Sequence, residues 1–354
     1  MEGSKFTINP TRKSLENSPL NLVVTVNSDG HIVMAEAWAN NIKQNLFIDA
    51  LEYGVSEAYK VTEMIETSIY TANKEIIKNE DPADKEFYEA IKTISEMQLY
   101  YEFTSVEHDK KTRDDAVVGI KTRTFDILRK DKNFEKYFSG PLESKANDLF
   151  TKIAKEIFRK VIIVEEKRCD GRKLNQMRPI SCYVNYLESL HGSALFQRGQ
   201  TQVLSTLTFD SPDTMYNSDI LQQMVSPSLT KLDKKFMLHY EFPQYAVNEI
   251  GKSGRAPDRR EIGHGALAEK ALYPLVPTDL NFTTRILCEV LESNGSSSMA
   301  SVCAGSLALV DAGVQMPELG CGVAMGLVTT KDENDQIKEY KILTDLSVRV
   351  DAIL

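Results

Sequence analysis

The sequence predicts an α+β protein in which a helical segment precedes a mixed domain of short strands and helices. Apolar residues recur every three or four positions between 46 and 160, which is the period of an amphipathic helix. From Cys169 onward, period-two runs of strand length alternate with helical ones, which favours a mixed domain with an antiparallel component. Ahead of both, residues 20–37 hold two apolar, β-branched runs around Asp29-Gly30, a pattern typical of a hairpin.

Length and composition limit the classes of protein. A chain of 354 residues has room for about two or three domains. Its net charge of −9 excludes a general polyanion binder, so any contact with nucleic acid needs a local basic patch. No run reaches the roughly 18 apolar residues of a membrane span, and the start of the chain lacks the apolar core of a signal peptide. The five cysteines form no CxxC pair, and we expect buried free thiols.

The elements before Cys169 follow from these periods. A hairpin alone is marginally stable, so we interpret residues 20–37 as the end of a sheet whose other strands are not in the sequence. Four amphipathic helices should then form a small bundle, with their apolar stripes in its core. The third should begin at Thr112, with Asp114 and Asp115 in its first turn, where the helix dipole favours carboxylates. The stripes of the first and fourth helices are Ala58, Val61, Ile65, Ile69, Ala72 and Ile76, and Leu149, Phe150, Ile153, Ile157 and Val161.

Glycine residues mark boundaries between the predicted elements of the mixed domain. Residues 191–209 indicate two strands joined around Arg198-Gly199-Gln200, and a long apolar helix is stopped by Gly313. The remaining predicted elements are strands at 178–187, 236–242, 284–291, 321–329 and 338–346, and helices at 259–275 and 299–312.

The most informative stretch is Asn294-Gly295-Ser296-Ser297-Ser298, where a strand runs into a helix of small and apolar residues. A helix amino end presents unpaired N–H groups and the positive end of the dipole, so it binds anions. Glycine permits close approach of the backbone, and serine hydroxyls add donors. One serine is enough to cap a helix, and a plain serine cap is the alternative interpretation.

A second stretch, residues 251–265, is basic. Lys252, Arg255, Arg259 and Arg260 precede His264, which lies one helical turn after Arg260. Arginine forks suit phosphate oxygens, and histidine donates to phosphate or carries a proton. The alternative is a solvated basic helix start with a capping histidine. No P-loop pattern and no G-x-S-x-G pattern occurs.

A third stretch, residues 191–201, has polar groups at both ends of a strand. Taken by itself, it indicates a strand pair with structural polar caps.

Together these stretches resemble one family. CDGRK, HGSALFQRGQTQVL, FMLHYEFP, NEIGK, RREIGHGALAEKALYP, ESNGSSSMASVCAGSLAL and DAGV occur in this order, and they resemble the second RNase PH-type domain of the polynucleotide phosphorylases, also called polyribonucleotide nucleotidyltransferases. FQRGQTQ and FMLHYEFP are similar to the animal mitochondrial branch. The resemblance is dense from about 165 to 346 and weaker before that.

The resemblance implies an RNase PH-like fold of the ribosomal protein S5 domain 2 type. It divides the chain into 1–55, the end of a first RNase PH-type domain, 56–163, an all-α domain, and 164–354, a second RNase PH-type domain cut short. The implied activity is 3′-to-5′ phosphorolysis of RNA, in which inorganic phosphate releases nucleoside diphosphates reversibly. Ser297 and Ser298 would hold the phosphate beside His264, with Ser296, Gly295 and Asn294 in the same loop, and Arg259 and Arg260 would hold phosphate or RNA oxygens.

The resemblance also implies Mg²⁺, the 3′ end of single-stranded RNA as partner, a homotrimer, a mitochondrial location and no membrane. The sequence departs from the family after Asp345-Leu346, where SVRVDAIL stands in place of an acidic loop and a G-D-M-D-F-K motif that binds the magnesium. Asp351 is only a weak metal candidate. We therefore expect a chain truncated at both ends. The alternative function is an inactive fragment that binds phosphate or RNA ends, or assembles with intact subunits. A purely structural subunit would have a degraded phosphate site, whereas SNGSSS and RREIGH are intact.

Overall fold

Two hydrophobic clusters organise the molecule. The computed structural model describes residues 5–16, 18–68, 82–105, 110–140, 142–217, 233–251, 256–331 and 337–347. One cluster lies among three long helices and a late hairpin, and the other lies between a five-stranded sheet and two helices. The α+β class predicted from the sequence is confirmed.

The hairpin near the start of the chain is present as predicted. After the short helix α1 (Arg12–Glu16), β1 (Leu20–Val26) pairs antiparallel with β2 (Ile32–Ala39). The side chain of Asn27 accepts the His31 amide at 2.8 Å and so fastens the turn.

Helix α2 (Gln44–Ser68) lies on this hairpin and not in the helical bundle. Its Gly54 faces Val24, whose Cγ2 would lie 3.6 Å from an added Cβ. Farther along the helix, Val61 and Ile65 are 56% and 50% exposed, so the prediction that they are core residues is wrong. Since 25 helical residues extend about 37 Å and a strand of 7 residues about 23 Å, the second half of α2 runs past the hairpin. The expected domain boundary at 55 falls within this helix.

Three long helices form the first cluster. Phe87 stacks on Tyr137 with centroids 4.0 Å apart, and Val328 and Leu343 from the late hairpin complete the cluster. Predicted stripe residues Ile69, Ala72 and Ile76 lie outside the described residues. The elements are α3 (Pro82–Thr104), α4 (Lys110–Leu128), a 3-10 helix (Glu135–Phe138), α5 (Leu142–Glu165), β10 (Met325–Lys331) and β11 (Ile337–Thr344).

Two sequence predictions about these helices, the apolar stripe of α5 and the start of α4, can be compared with the structure. The predicted stripe of α5 is confirmed, because Phe150, Ile153, Ile157 and Val161 are all buried. The predicted third helix is present as α4, but its described residues already begin at Lys110, two before the predicted start at Thr112.

The sheet of the second cluster has the order β3-β4-β5-β9-β8, antiparallel except between β8 and β9. The predicted strands at 191–209, 236–242 and 284–291 are confirmed. The bounds are β3 (Ile180–Val184), β4 (Gly192–Arg198), β5 (Thr201–Asp210), β8 (Phe236–Glu241) and β9 (Thr283–Glu292), with a separate pair β6 (Tyr216–Asn217) and β7 (Asp233–Lys234). Short 3-10 helices cover Pro212–Thr214, Gln244–Val247 and Tyr273–Leu275.

Two helices, α6 (Arg259–Leu272) and α7 (Ser297–Asp311), pack on one face of this sheet. Small residues bring α7 close to the strands: a Cβ on Gly192 would lie 2.4 Å from the carbonyl oxygen of Ala308. The amino ends of both helices carry the sequences singled out above.

All five cysteines are free thiols, as predicted, and Cys169 and Cys288 are buried. The expectation of burial is wrong for Cys182 and Cys321, which are exposed. Among the described helices, none combines the length and apolar character of a membrane span.

Candidate functional site

The amino end of α7 is the centre of the candidate site. Gly295 has φ 100° and Ser296 has φ 56°, so two successive residues adopt left-handed conformations before the helix starts at Ser297. Ser296 occupies the cap position, yet its side chain makes no capping hydrogen bond. Its Oγ is buried and has no hydrogen-bond partner among the described residues. The alternative of a plain serine cap therefore does not describe this helix end.

Residues 294–296 form a short loop that we call the anion loop. Its three carbonyl groups accept hydrogen bonds from side chains in the interior of the domain. Arg178 Nη1 donates to the Asn294 carbonyl at 2.8 Å. Thr201 Oγ1 donates to the Gly295 carbonyl at 3.0 Å, and Arg198 Nη2 donates to the Ser296 carbonyl at 2.9 Å. Three consecutive carbonyls thus face the domain interior.

Tyr240 connects the first residue of α7 to α6. Its hydroxyl lies 2.7 Å from Ser297 Oγ, and its ring meets the His264 ring edge to face at 5.1 Å between centroids. Both Tyr240 and Ser297 are buried. The structure therefore joins two sequence-predicted site residues, His264 and Ser297, through a third that the sequence analysis did not select.

Burial sets the protonation of these groups. It lowers the pKa of His264, and the positive charge of Arg260 lowers it further, so the imidazole is neutral at pH 7. His264 Nδ1 is buried without a hydrogen-bond partner among the described residues. Burial raises the pKa of Tyr240 to about 12, which keeps its hydroxyl protonated as a donor.

The first turn of α6 presents the two predicted arginines. A capping box fixes this turn, because Asp258 accepts the Glu261 amide while Glu261 accepts the Asp258 amide, each at 2.8 Å. Arg259 is exposed. The guanidinium of Arg260 lies 5.3 Å from the centre of the Phe242 ring, a cation–π contact. The predicted basic residues Lys252 and Arg255 lie outside the described residues.

The remaining predicted residues divide by position. Ser298 is half-buried in the first turn of α7. The Nδ2 group of Asn294 donates to Gln200 Oε1 at 2.9 Å, which links the 191–201 stretch to the anion loop. At the other end of that stretch, the His191 ring packs against Phe209, a structural role.

Sequence analysis missed Tyr240, Thr201, Arg178 and Arg198 as parts of this site. The sequence around these four residues gives little indication of a role in the site. Tyr240 occupies one position of an ordinary strand pattern, and Arg198 stands beside a turn glycine. Nothing in the local sequence shows that these side chains meet residues 294–297, which lie between 57 and 116 positions away along the chain.

The described residues contain no group of three or more His, Cys, Asp or Glu side chains placed to hold a metal ion. Asp351, the weak metal candidate, lies outside the described residues.

Comparison with known proteins gives a consistent result. Residues 176–315 match the family model described as 3′ exoribonuclease family, domain 1. Over 99% of its length the chain is 36% identical to a polyribonucleotide nucleotidyltransferase of Bacillus velezensis, covering 47% of that protein. Over 97% of its length it is 37% identical to the enzyme of the same name from Synechococcus, covering 46%. A solved structure of rice Rrp46 aligns with 51% of this chain and 73% of its own, at 21% identity and a TM-score of 0.35.

The sheet domain has the RNase PH-type fold implied by the resemblance. The chain is similar to polyribonucleotide nucleotidyltransferases over nearly all of its length, and it spans about half the length of the curated relatives it matches.

Proposed function

We propose that this chain carries the phosphate-binding site of a 3′-to-5′ phosphorolytic exoribonuclease of the polyribonucleotide nucleotidyltransferase type. The observation that carries the proposal is the amino end of α7, where Ser296 Oγ is buried without a hydrogen-bond partner in the described part of the chain, beside the left-handed Gly295. Such a helix end favours a bound anion through its N–H groups and its dipole. The similarity to proteins of that name supplies the substrate class.

In this proposal, the N–H groups of the anion loop and the hydroxyls of Ser297 and Ser298 hold inorganic phosphate. Either hydroxyl of the Tyr240–Ser297 pair can donate. With Tyr240 as the donor, the serine proton is free to point at a phosphate oxygen. His264 contributes its neutral imidazole from the side of α6. Catalysis of this kind depends mainly on positioning and charge stabilisation.

Arg259 and Arg260 would hold the oxygens of the terminal RNA phosphodiester. A phosphate oxygen forms a bond to the phosphorus of the last nucleotide, and the bond from that phosphorus to the preceding 3′ oxygen breaks. The proton of hydrogen phosphate leaves with the 3′ oxygen, so the products are a nucleoside diphosphate and an RNA shortened by one nucleotide.

A second candidate function is binding without turnover, alone or in assembly with intact subunits. The 354 residues hold no Gly-Asp-Met-Asp-Phe-Lys stretch, which favours this alternative for a polypeptide of this sequence. Three finer assignments remain part of the proposal: magnesium as cofactor, a homotrimer, and an animal mitochondrial type with mitochondrial location. The sequences FQRGQTQ and FMLHYEFP support the assignment to the animal mitochondrial type.

The test combines binding and turnover. Phosphate and a fluorescent oligoadenylate are titrated into the 354-residue protein, and end-labelled poly(A) is incubated with phosphate and magnesium while ADP is measured. We expect phosphate binding that Ser298→Ala weakens and that Ser306→Ala, eight residues further along α7, does not. ADP release supports the enzyme, binding without ADP supports the second candidate, and absence of binding to both ligands refutes the proposal.

A further inference from the structure

We propose that Asp345 is a positioning residue that fixes the direction in which the anion loop presents its N–H groups. The inference rests on the proposed function, because it explains how the phosphate site is held ready. Asp345 follows β11, more than a hundred residues after the 191–201 strands, and no part of it is exposed.

The carboxylate of Asp345 lies at the centre of three buried arginines, Arg172, Arg178 and Arg198, which we call the arginine cluster. Arg178 donates through Nη2 to Oδ1 at 2.6 Å and through Nε to Oδ2 at 2.9 Å. Arg172 Nη1 donates to Oδ2 at 3.0 Å. Arg198 Nε lies 2.9 Å from Oδ1 as an ion pair, without the alignment of a hydrogen bond.

Two of these arginines bind Asp345 and the anion loop at the same time. Arg178 holds Asp345 with Nε and Nη2, and its Nη1 donates to the Asn294 carbonyl. Arg198 faces Asp345 with Nε, and its Nη2 donates to the Ser296 carbonyl. Because a guanidinium is planar and rigid, fixing one side of it on the carboxylate fixes the donors on the other side.

Because peptide bonds are planar, the direction of the carbonyl groups also determines the direction of the N–H groups. All described peptide bonds are trans, and in a trans peptide the N–H points away from the preceding carbonyl. Since the carbonyls of 294–296 point toward the arginine cluster, the N–H groups of Gly295, Ser296 and Ser297 point to the opposite side. That side is where a phosphate would bind.

Charge supports the same role. The three arginines of the cluster face Asp345, and Asp170 forms a further ion pair with Arg172 at 2.8 Å. Among the described residues, these two carboxylates face three guanidinium groups, which leaves a net positive charge behind the anion loop. Asp345 therefore holds the arginines together without cancelling the field that favours an anion.

The backbone of Asp345 is itself held in an uncommon conformation, with φ 59°. Its amide donates to the Ala324 carbonyl at 2.8 Å, and its own carbonyl accepts Arg168 Nη2 at 3.0 Å. A non-glycine residue with positive φ costs free energy and persists where its surroundings determine it. The uncommon backbone conformation therefore supports the inference that the surroundings of Asp345 fix the position of its carboxylate.

The first test is Asp345→Asn, with Asp311→Asn as the matched control. Asp311 lies at the other end of α7, where its carboxylate accepts the Ser193 amide at 2.9 Å. Inorganic phosphate is titrated into each protein, and the amide signals of Gly295, Ser296 and Ser297 are followed in ¹H–¹⁵N spectra. We expect Asp345→Asn to shift these signals and to weaken phosphate binding at least about tenfold, while Asp311→Asn leaves both unchanged.

A folded Asp345→Asn protein with wild-type signals and affinity overturns the inference. If that variant does not fold, Thr201→Val tests the same anchoring of the loop. Thr201 Oγ1 donates to the Gly295 carbonyl, and it accepts the Asn294 amide at 3.1 Å and, at 3.5 Å, Nη1 of the Arg178 that holds Asp345. We expect about three- to tenfold weaker phosphate binding and shifted Gly295 and Ser296 signals, and unchanged values overturn the inference. Should the wild-type protein bind no phosphate, the proposed function fails, and the amide signals still report whether Asp345 orders the loop.

Discussion

Replacing Tyr240 by phenylalanine tests the link between the sheet and the proposed phosphate site. The change keeps the buried ring, including its contact with His264, and removes only the hydroxyl that lies 2.7 Å from Ser297 Oγ. Ser297 is 4% exposed, so water cannot readily replace the lost partner.

The size of the effect follows from that burial. A neutral hydrogen bond contributes about 1 kcal/mol, and leaving a buried hydroxyl unsatisfied costs about 1–3 kcal/mol. We therefore expect Tyr240→Phe to lower the free energy of unfolding by roughly 1–3 kcal/mol. If the Ser297 hydroxyl also loses its fixed direction toward phosphate, a loss of about 1 kcal/mol in binding corresponds to about fivefold weaker affinity.

Urea unfolding and phosphate titration measure the two effects on the same protein. Tyr245→Phe is the matched control, because Tyr245 is 52% exposed and its hydroxyl donates to Glu289 on the surface. The reasoning is refuted if Tyr240→Phe matches this control in both stability and affinity.

Three other measurements follow from the structure. Burial raises the pKa of Asp345, but its arginine partners outweigh that effect and hold it at about 2; its ion pairs should then contribute about 2 kcal/mol above pH 4 that is lost as pH falls through 2, visible as a falling urea midpoint. Because burial lowers the pKa of His264, affinity for sulfate, which does not titrate in this range, should rise as pH falls below the ordinary pKa of histidine, and His264→Gln should give a flat profile. A thiol reagent should label exposed Cys182 and Cys321 in the native protein, whereas Cys288, whose pKa burial raises to about 12, should react only after denaturation; native labelling of Cys288 would contradict the packing.

Most elements of the sheet domain could be predicted because each carries a local signal. The turn between β4 and β5 is marked by Gly199, which adopts φ 58°, and the start of α7 by its serines. The failure at α2 has a different origin. Periodicity identifies an apolar face on a helix, but it does not reveal that the hairpin under the helix is shorter than the helix itself.

The candidate site was predictable only in part, for a related reason. Residues 294–298 and 259–264 are contiguous stretches whose composition indicates anion binding. Asp345 lies 167 residues from Arg178, and the two meet only through the folded sheet. A single acidic residue after a strand gives no local sign of such a partner.

The late hairpin has a consequence for the order of synthesis. Val328 and Leu343 complete a cluster whose other buried members all lie between Phe87 and Cys169. At a synthesis rate of about 5–20 residues per second, roughly ten to thirty seconds separate these two parts of one core. During that interval the helices have emerged from the ribosome with an uncovered apolar surface on α5. A nascent chain stopped before β10 should therefore bind chaperones, and protease should cut it within α3 to α5. A chain extended past Asp345 should bind chaperones less and should resist the protease.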